Sequence, residues 1–356
     1  MRTVVNLRVL GKQFSQLCNS AYFDKEFRTF LIKTNAAIQH VLEDTNRYPA
    51  PVVQAFESHL WKVRKFILGS RSSDAPYEVQ FALRLALADW ISGKPLVSSA
   101  AVDELNFFLN LEDTWSFIEG NFDQFETDGY RPLMIRIGSP DLYQHRPVFC
   151  TPLFHELGHF VDLQLKISET TMLLAPPGEP PPSLSMSKSD FEILVYRYRL
   201  EHFADLFAAC YCSDGLNKSL QVIAGGHGNS DDHPATQVRV DTVEDFLNDN
   251  PNSVVDLFQN VLTVRGLPTL EKRFRIPEVT RHFDDALTYP IQNREELFGL
   301  FPASWDYLEN QLVKRDAAWI SENVTEFEVE KTINDLTEKS LRNFEVRQRW
   351  AETDAN

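Results

Sequence analysis

The sequence predicts a mainly α protein with a small β-sheet, an α+β chain, on three observations. Apolar residues recur three and four apart through residues 23–44 and 52–69, the period that lays one face of a helix on a core. Strand texture is concentrated in one short run, Pro132 to Ile137, closed by Gly138, Ser139 and Pro140. The 356 residues, 43% of them apolar, are enough for one large core or two medium ones.

Taken in order, residues 1–114 form a helical amino-terminal lobe, in which Pro49 and Pro51 precede the second amphipathic stretch. Residues 115–245 carry the strand and the residue types suited to chemistry. Pro147 to Cys150 is a second apolar stretch leading into a helix for which Thr151 is a cap and Pro152 a first-turn residue. Between Ala175 and Ser189 lie five prolines and four serines, the composition of a loop without regular structure. A capping box, Ser189-x-x-Glu192, opens the next helix, which is expected to run to about Cys212. Gly225, Gly226 and Gly228 mark another loop. Residues 246–356 are a second helical lobe, ending in a charged helix with an apolar stripe of Ile333, Leu336, Leu341 and Phe344.

Composition narrows the function. With 35 Lys+Arg against 51 Asp+Glu the formal charge is −16, and no basic cluster relieves it, so nucleic acid is not expected as a partner. No stretch reaches the roughly 18 apolar residues of a membrane span, and no apolar run near the start is long enough for a signal peptide. Cys18, Cys150, Cys210 and Cys212 make no disulfide framework. Cys210 and Cys212, two apart on a helix, point to different faces and are expected to be buried small residues. A cytoplasmic protein is the expectation, and its oligomeric state is open.

The chemistry is concentrated in His155-Glu156-Leu157-Gly158-His159, set among Leu153, Phe154, Phe160 and Val161. Residues four apart on a helix stand one turn above another, so both imidazoles can reach one zinc ion. Glu156 is rotated toward the water that zinc would activate. Buried ionisable groups in so apolar a helix need partners or a metal.

A catalytic zinc takes three protein ligands and keeps one open position. Glu169, Glu179, Glu192, Glu201 and His202 are candidates for the third. Glu169 lies near the end of the first helix, Glu179 in the proline-rich loop, and Glu192 in the capping box. Glu201 begins a helical stretch with Asp205 one turn on and Ala204, Ala208 and Ala209 nearby, small enough to let two helices approach. Asp205 could accept the free N–H of a zinc-bound histidine. Without a metal the pair would be two like charges on a solvated face.

Here the chain resembles the gluzincins, zinc peptidases in which His-Glu-x-x-His is followed by Glu-x-x-x-Asp on a second helix. In motif texture it is similar to the intracellular ImmA/IrrE-type peptidases, over about sixty residues. The resemblance implies a zincin-like catalytic core flanked by helical lobes, one Zn2+ held by His155, His159 and Glu201, Glu156 as general base and Asp205 as support. Downstream, His233-Pro234 and Arg239 are similar to His-Pro…Arg segments that follow the third ligand in several gluzincin families. His233 is a candidate catalytic group; His227, Tyr196, Tyr198 and Arg239 are the other candidates for stabilising an oxyanion.

The function expected is a zinc-dependent endopeptidase selective for a protein or peptide substrate, which would lie extended along an edge strand, Leu133 to Ile137 being the candidate. The alternative is a catalytically silent zinc-binding regulatory or sensor protein that uses the same fold for partner recognition.

Overall fold

The structure, a computed structural model, describes residues 2–19, 25–69, 77–93, 96–102, 106–110, 113–122, 125, 129–130 and 132–354. In chain order its elements are α1 (Arg2–Cys18), α2 (Lys25–Glu43), α3 (Ala50–Gly69), α4 (Tyr77–Ala88), β1 (Leu96–Val102), β2 (Phe108–Asn110), α5 (Thr114–Asn121) and β3 (Met134–Pro140). Then follow α6 (Pro152–Leu165), α7 (Ile167–Leu174), α8 (Lys188–Cys212), α9 (Gly215–Ala224), α10 (Thr236–Leu247), α11 (Ser253–Val264), α12 (Thr280–Asp284), α13 (Arg294–Lys314) and α14 (Glu326–Asp354). The protein is mainly α with a small mixed sheet, as the apolar periodicity predicts. None of the described helices is long and apolar enough to cross a membrane.

Contacts divide the chain into two compact units, residues 1–77 with 93–141, and residues 78–92 with 142–356. These cuts differ from the three consecutive segments expected from sequence, because α4 packs with elements that follow it by more than a hundred residues.

In the first unit, α1 packs on α2 and α3, and α3 lies against β1 and α5. Leu7, Leu10, Phe14, Phe30, Ile38, Phe56 and Leu60 fill its core. Ser98 Oγ on β1 donates to the Phe66 carbonyl of α3 at 2.7 Å. The sheet order is β1-β3-β2, with β1 parallel and β2 antiparallel to β3. The expected edge strand is therefore the central one. It pairs with β1 along Met134–Pro140 and with β2 over Arg136–Gly138.

The second unit is built around α6 and α8. From Glu201 to Cys212 every residue of α8 is buried, so α13, α10 and α11 enclose it along with α6. Residues 188–200 of the same helix stay exposed or half-buried. α4 is anchored at both ends. Near its end the Trp90 indole donates to the Tyr211 hydroxyl at 2.9 Å, and that hydroxyl lies 2.9 Å from Asp89 Oδ2. At its start Arg342 on α14 donates to buried Glu78 at 2.8 Å. Ile333, Leu336, Leu341 and Phe344, the stripe expected on the last helix, are all buried.

Two caps differ from expectation. Thr151 has helical dihedrals and makes no capping bond. Its hydroxyl donates to the Gly215 carbonyl at 3.0 Å, so the Ser219 hydroxyl, 2.9 Å away, must donate to it. Tertiary bonding to α9 has displaced the cap. α8 starts two residues before the expected box: Ser187 Oγ accepts from the Asp190 amide at 3.1 Å and donates to its carboxylate at 2.6 Å.

Candidate metal centre

His155 and His159 stand one turn apart on α6, and Glu201 faces them from α8. The approach depends on Gly158. A Cβ there would lie 2.8 Å from Ala204 Cα and 3.1 Å from its carbonyl oxygen, so the α6 backbone sits directly on the α8 backbone. The alanines of α8 announce a close approach in the sequence, and Gly158 opposite them is the matching signal on α6.

The three side chains converge. His155 Nε2 is 3.0 Å from His159 Nε2 and 3.5 Å from Glu201 Oε2, and His159 Nε2 is 3.3 Å from Glu201 Oε1. Zinc bonds of about 2.0–2.1 Å in a tetrahedron make ligand–ligand edges of about 3.3–3.4 Å, so these separations suit a single ion. Among the described residues, this is the group of histidine, cysteine and carboxylate ligand atoms that lie within 4.8 Å of one another. Two imidazole nitrogens facing at 3.0 Å need a proton or a cation between them. Glu201 Oε2 is buried and has no hydrogen-bond partner, a cost that a metal ligand would not bear. The set of two nitrogens and one oxygen fits zinc.

Asp205, fully buried, lies 2.9 Å from His155 Nδ1. The two groups stand at ion-pair distance. The carboxylate itself is clamped: Arg239 on α10 donates through Nε to Oδ2 at 2.8 Å and through Nη2 to Oδ1 at 2.7 Å. Arg239 Nη2 is also 3.3 Å from Glu201 Oε2. Buried and committed to two carboxylates, Arg239 holds the cluster together and is not free to meet an oxyanion.

Charge states follow from these contacts. Burial disfavours a charged His155, yet Asp205 and Glu201 push it up to about 10. Burial opposes ionisation of Glu201 and Asp205, but His155 and His159 hold Glu201, and Arg239 and His155 hold Asp205, well below the usual carboxylate range. Buried His202 is pushed down by desolvation and contributes no atom to the cluster.

The other candidates divide. Glu156 is half-buried and close enough to Arg239 to favour its charge. His233 Nε2 is 3.6 Å from Glu201 Oε2 with its side chain 55% exposed, and His159 keeps 18% exposure, so the cluster reaches solvent on this side. Tyr198 is engaged, donating to the Ser230 carbonyl at 2.8 Å. Tyr196 is half-buried beside Asp162 and Glu169, its hydroxyl raised by burial and then by these carboxylates. His227 is exposed and takes no part in the cluster's ion pairs or hydrogen bonds. Cys210 and Cys212 are free thiols, buried as their spacing predicts, Cys210 pushed up to about 12 by desolvation.

No protein-family model matches the chain, and neither does any curated protein or solved structure.

Proposed function

We propose that the chain is a zinc-dependent peptidase of gluzincin type, acting on a peptide or protein substrate. The supporting observation is the meeting of His155, His159 and Glu201 from two helices held together at Gly158 and Ala204, with Glu156 beside them and solvent on one side. Asp205 supports His155, and four free cysteines fit a cytoplasmic setting.

A zinc ion would be held by His155, His159 and Glu201 and would supply Lewis acidity to a scissile carbonyl and an attacking water. Glu156 would accept a proton from the attacking water as its oxygen bonds to the carbonyl carbon. The proton then passes from Glu156 to the amide nitrogen as the C–N bond breaks. His233, 55% exposed and 3.6 Å from Glu201 Oε2, would donate to the developing oxyanion.

The test is elemental analysis of the wild type beside His155→Ala and Glu201→Ala, followed by cleavage of a peptide library. One zinc per chain in the wild type and loss in both variants is expected; a metal-free wild type refutes the proposal. Glu156→Gln should keep zinc and lose hydrolysis, and turnover by the zinc-replete variant refutes the base assignment. Stoichiometric zinc without cleavage of any peptide would favour a silent regulatory protein.

A further inference from the structure

We infer that Arg197 and Tyr198 are positioning residues that set His233 beside the metal cluster by gripping the turn that carries it. The inference rests on the metal reading proposed above. Residues 230–233 form a turn closed on itself: the Ser230 amide donates to the His233 carbonyl at 2.9 Å, and the His233 amide donates to Ser230 Oγ at 3.0 Å. The turn is held from outside at three points. Arg197 Nη1 donates to Asp232 Oδ1 at 2.7 Å and to the Asp231 carbonyl at 3.2 Å, and the Tyr198 hydroxyl donates to the Ser230 carbonyl at 2.8 Å.

Arg197 and Tyr198 precede Glu201 by four and three residues on α8, so grip and ligand share one helix face. The helix thereby sets the spacing between His233 and the ligand, 3.6 Å from Nε2 to Glu201 Oε2. This also gives the exposed first half of α8 a task, since a helix that buries so little there is not explained by packing. The Arg197 and Asp232 side chains are 46% and 67% exposed, so each bond alone is weak; together they select one position for the turn.

The probe is cobalt(II) in place of zinc, with metal content, proton NMR and amide exchange measured on the full chain. In the wild type an imidazole beyond those of His155 and His159 should be displaced by the paramagnetic ion, and its signal should vanish in His233→Gln. In Arg197→Ala/Tyr198→Phe the displacement should be lost while one cobalt per chain and the His155 and His159 signals persist. The 230–233 amides should exchange roughly tenfold faster or more, as expected for losing three modest bonds. Arg197→Lys, which can still reach Asp232, should restore most of the displacement. Tyr198→Phe alone, expected to weaken it in part, serves if the double variant does not fold. A His233 signal that is unmoved in the variants, or that is not displaced in the wild type, overturns the inference. Failure to bind cobalt overturns the metal reading, and this inference with it.

Discussion

Replacing Gly158 by alanine tests the contact that brings the ligands together. A new Cβ would meet Ala204 Cα at 2.8 Å and Phe207 Cβ at 3.1 Å, where carbon atoms settle at about 3.5–4.0 Å. Relief requires the two backbones to part by roughly 0.7 Å or more, because Ala204 offers no flexible side chain to move aside. Applied to the 3.3 Å between His159 Nε2 and Glu201 Oε1, that opens the edge to about 4 Å, beyond the roughly 0.2 Å tolerance on each metal–ligand distance. Two terms oppose each other in the fold itself. Alanine favours a helix interior over glycine by about 1 kcal/mol, while overpacking costs about 1–3 kcal/mol. The net effect on the metal-free protein is therefore small or destabilising. Zinc affinity should fall by roughly 10–100-fold, the loss typical of disturbing groups that orient ligands. Chelator competition measures the affinity and urea unfolding in EDTA the stability. Wild-type zinc affinity in Gly158→Ala together with a more stable apo protein would refute the reasoning.

Two further outcomes follow from the same region. In the metal-free protein His155 is raised from 6.5 to about 10, so its contribution to stability is fully present below about pH 6.5 and is lost as pH rises through 10. Urea midpoints of the EDTA-treated protein should fall between pH 7 and 10, and zinc binding at pH 8 should release a proton from His155 into weak buffer. A flat profile with no release would contradict this. Thr151→Val should cost about 1–3 kcal/mol by urea unfolding, because it removes the buried donor to the Gly215 carbonyl and the acceptor of the Ser219 hydroxyl; an unchanged midpoint would show that the link between α6 and α9 carries no stability.

The site was more legible in the sequence than the fold around it. His155, His159, Glu201 and Asp205 are set by local helical periodicity, which the sequence states outright, and the structure needs only to bring two helices together. Arg239 could be found but not assigned: whether a guanidinium faces solvent or clamps Asp205 is decided by how α10 packs on α8, and no spacing reports that. The sheet was half visible for the same reason. β3 has its own apolar run, whereas β1 is the small-residue stretch Leu96–Val102, whose partner lies 38 positions on at Met134. Thr151 does not act as a cap because a buried carbonyl sixty-four residues away competes for the same hydroxyl, which no local pattern reports.

The attachment of α4 has a consequence for the order in which this protein can be assembled. Trp90 and its hydrogen-bond partner Tyr211 are 121 residues apart, and residues 93–141 are built into the other compact unit in between. At about 5–20 residues per second of synthesis, α4 waits roughly 6–24 s for the helix that receives it. During that interval its apolar residues, Val79, Ala82, Leu83, Ala86 and Leu87, all buried in the finished protein, are without their native cover. The helix that carries Glu201 and Asp205 is the first to take up the end of α4, and the wait closes only with α14, whose Arg342 holds Glu78 from 264 residues away, so the last helix of the nascent chain completes the attachment of its fourth.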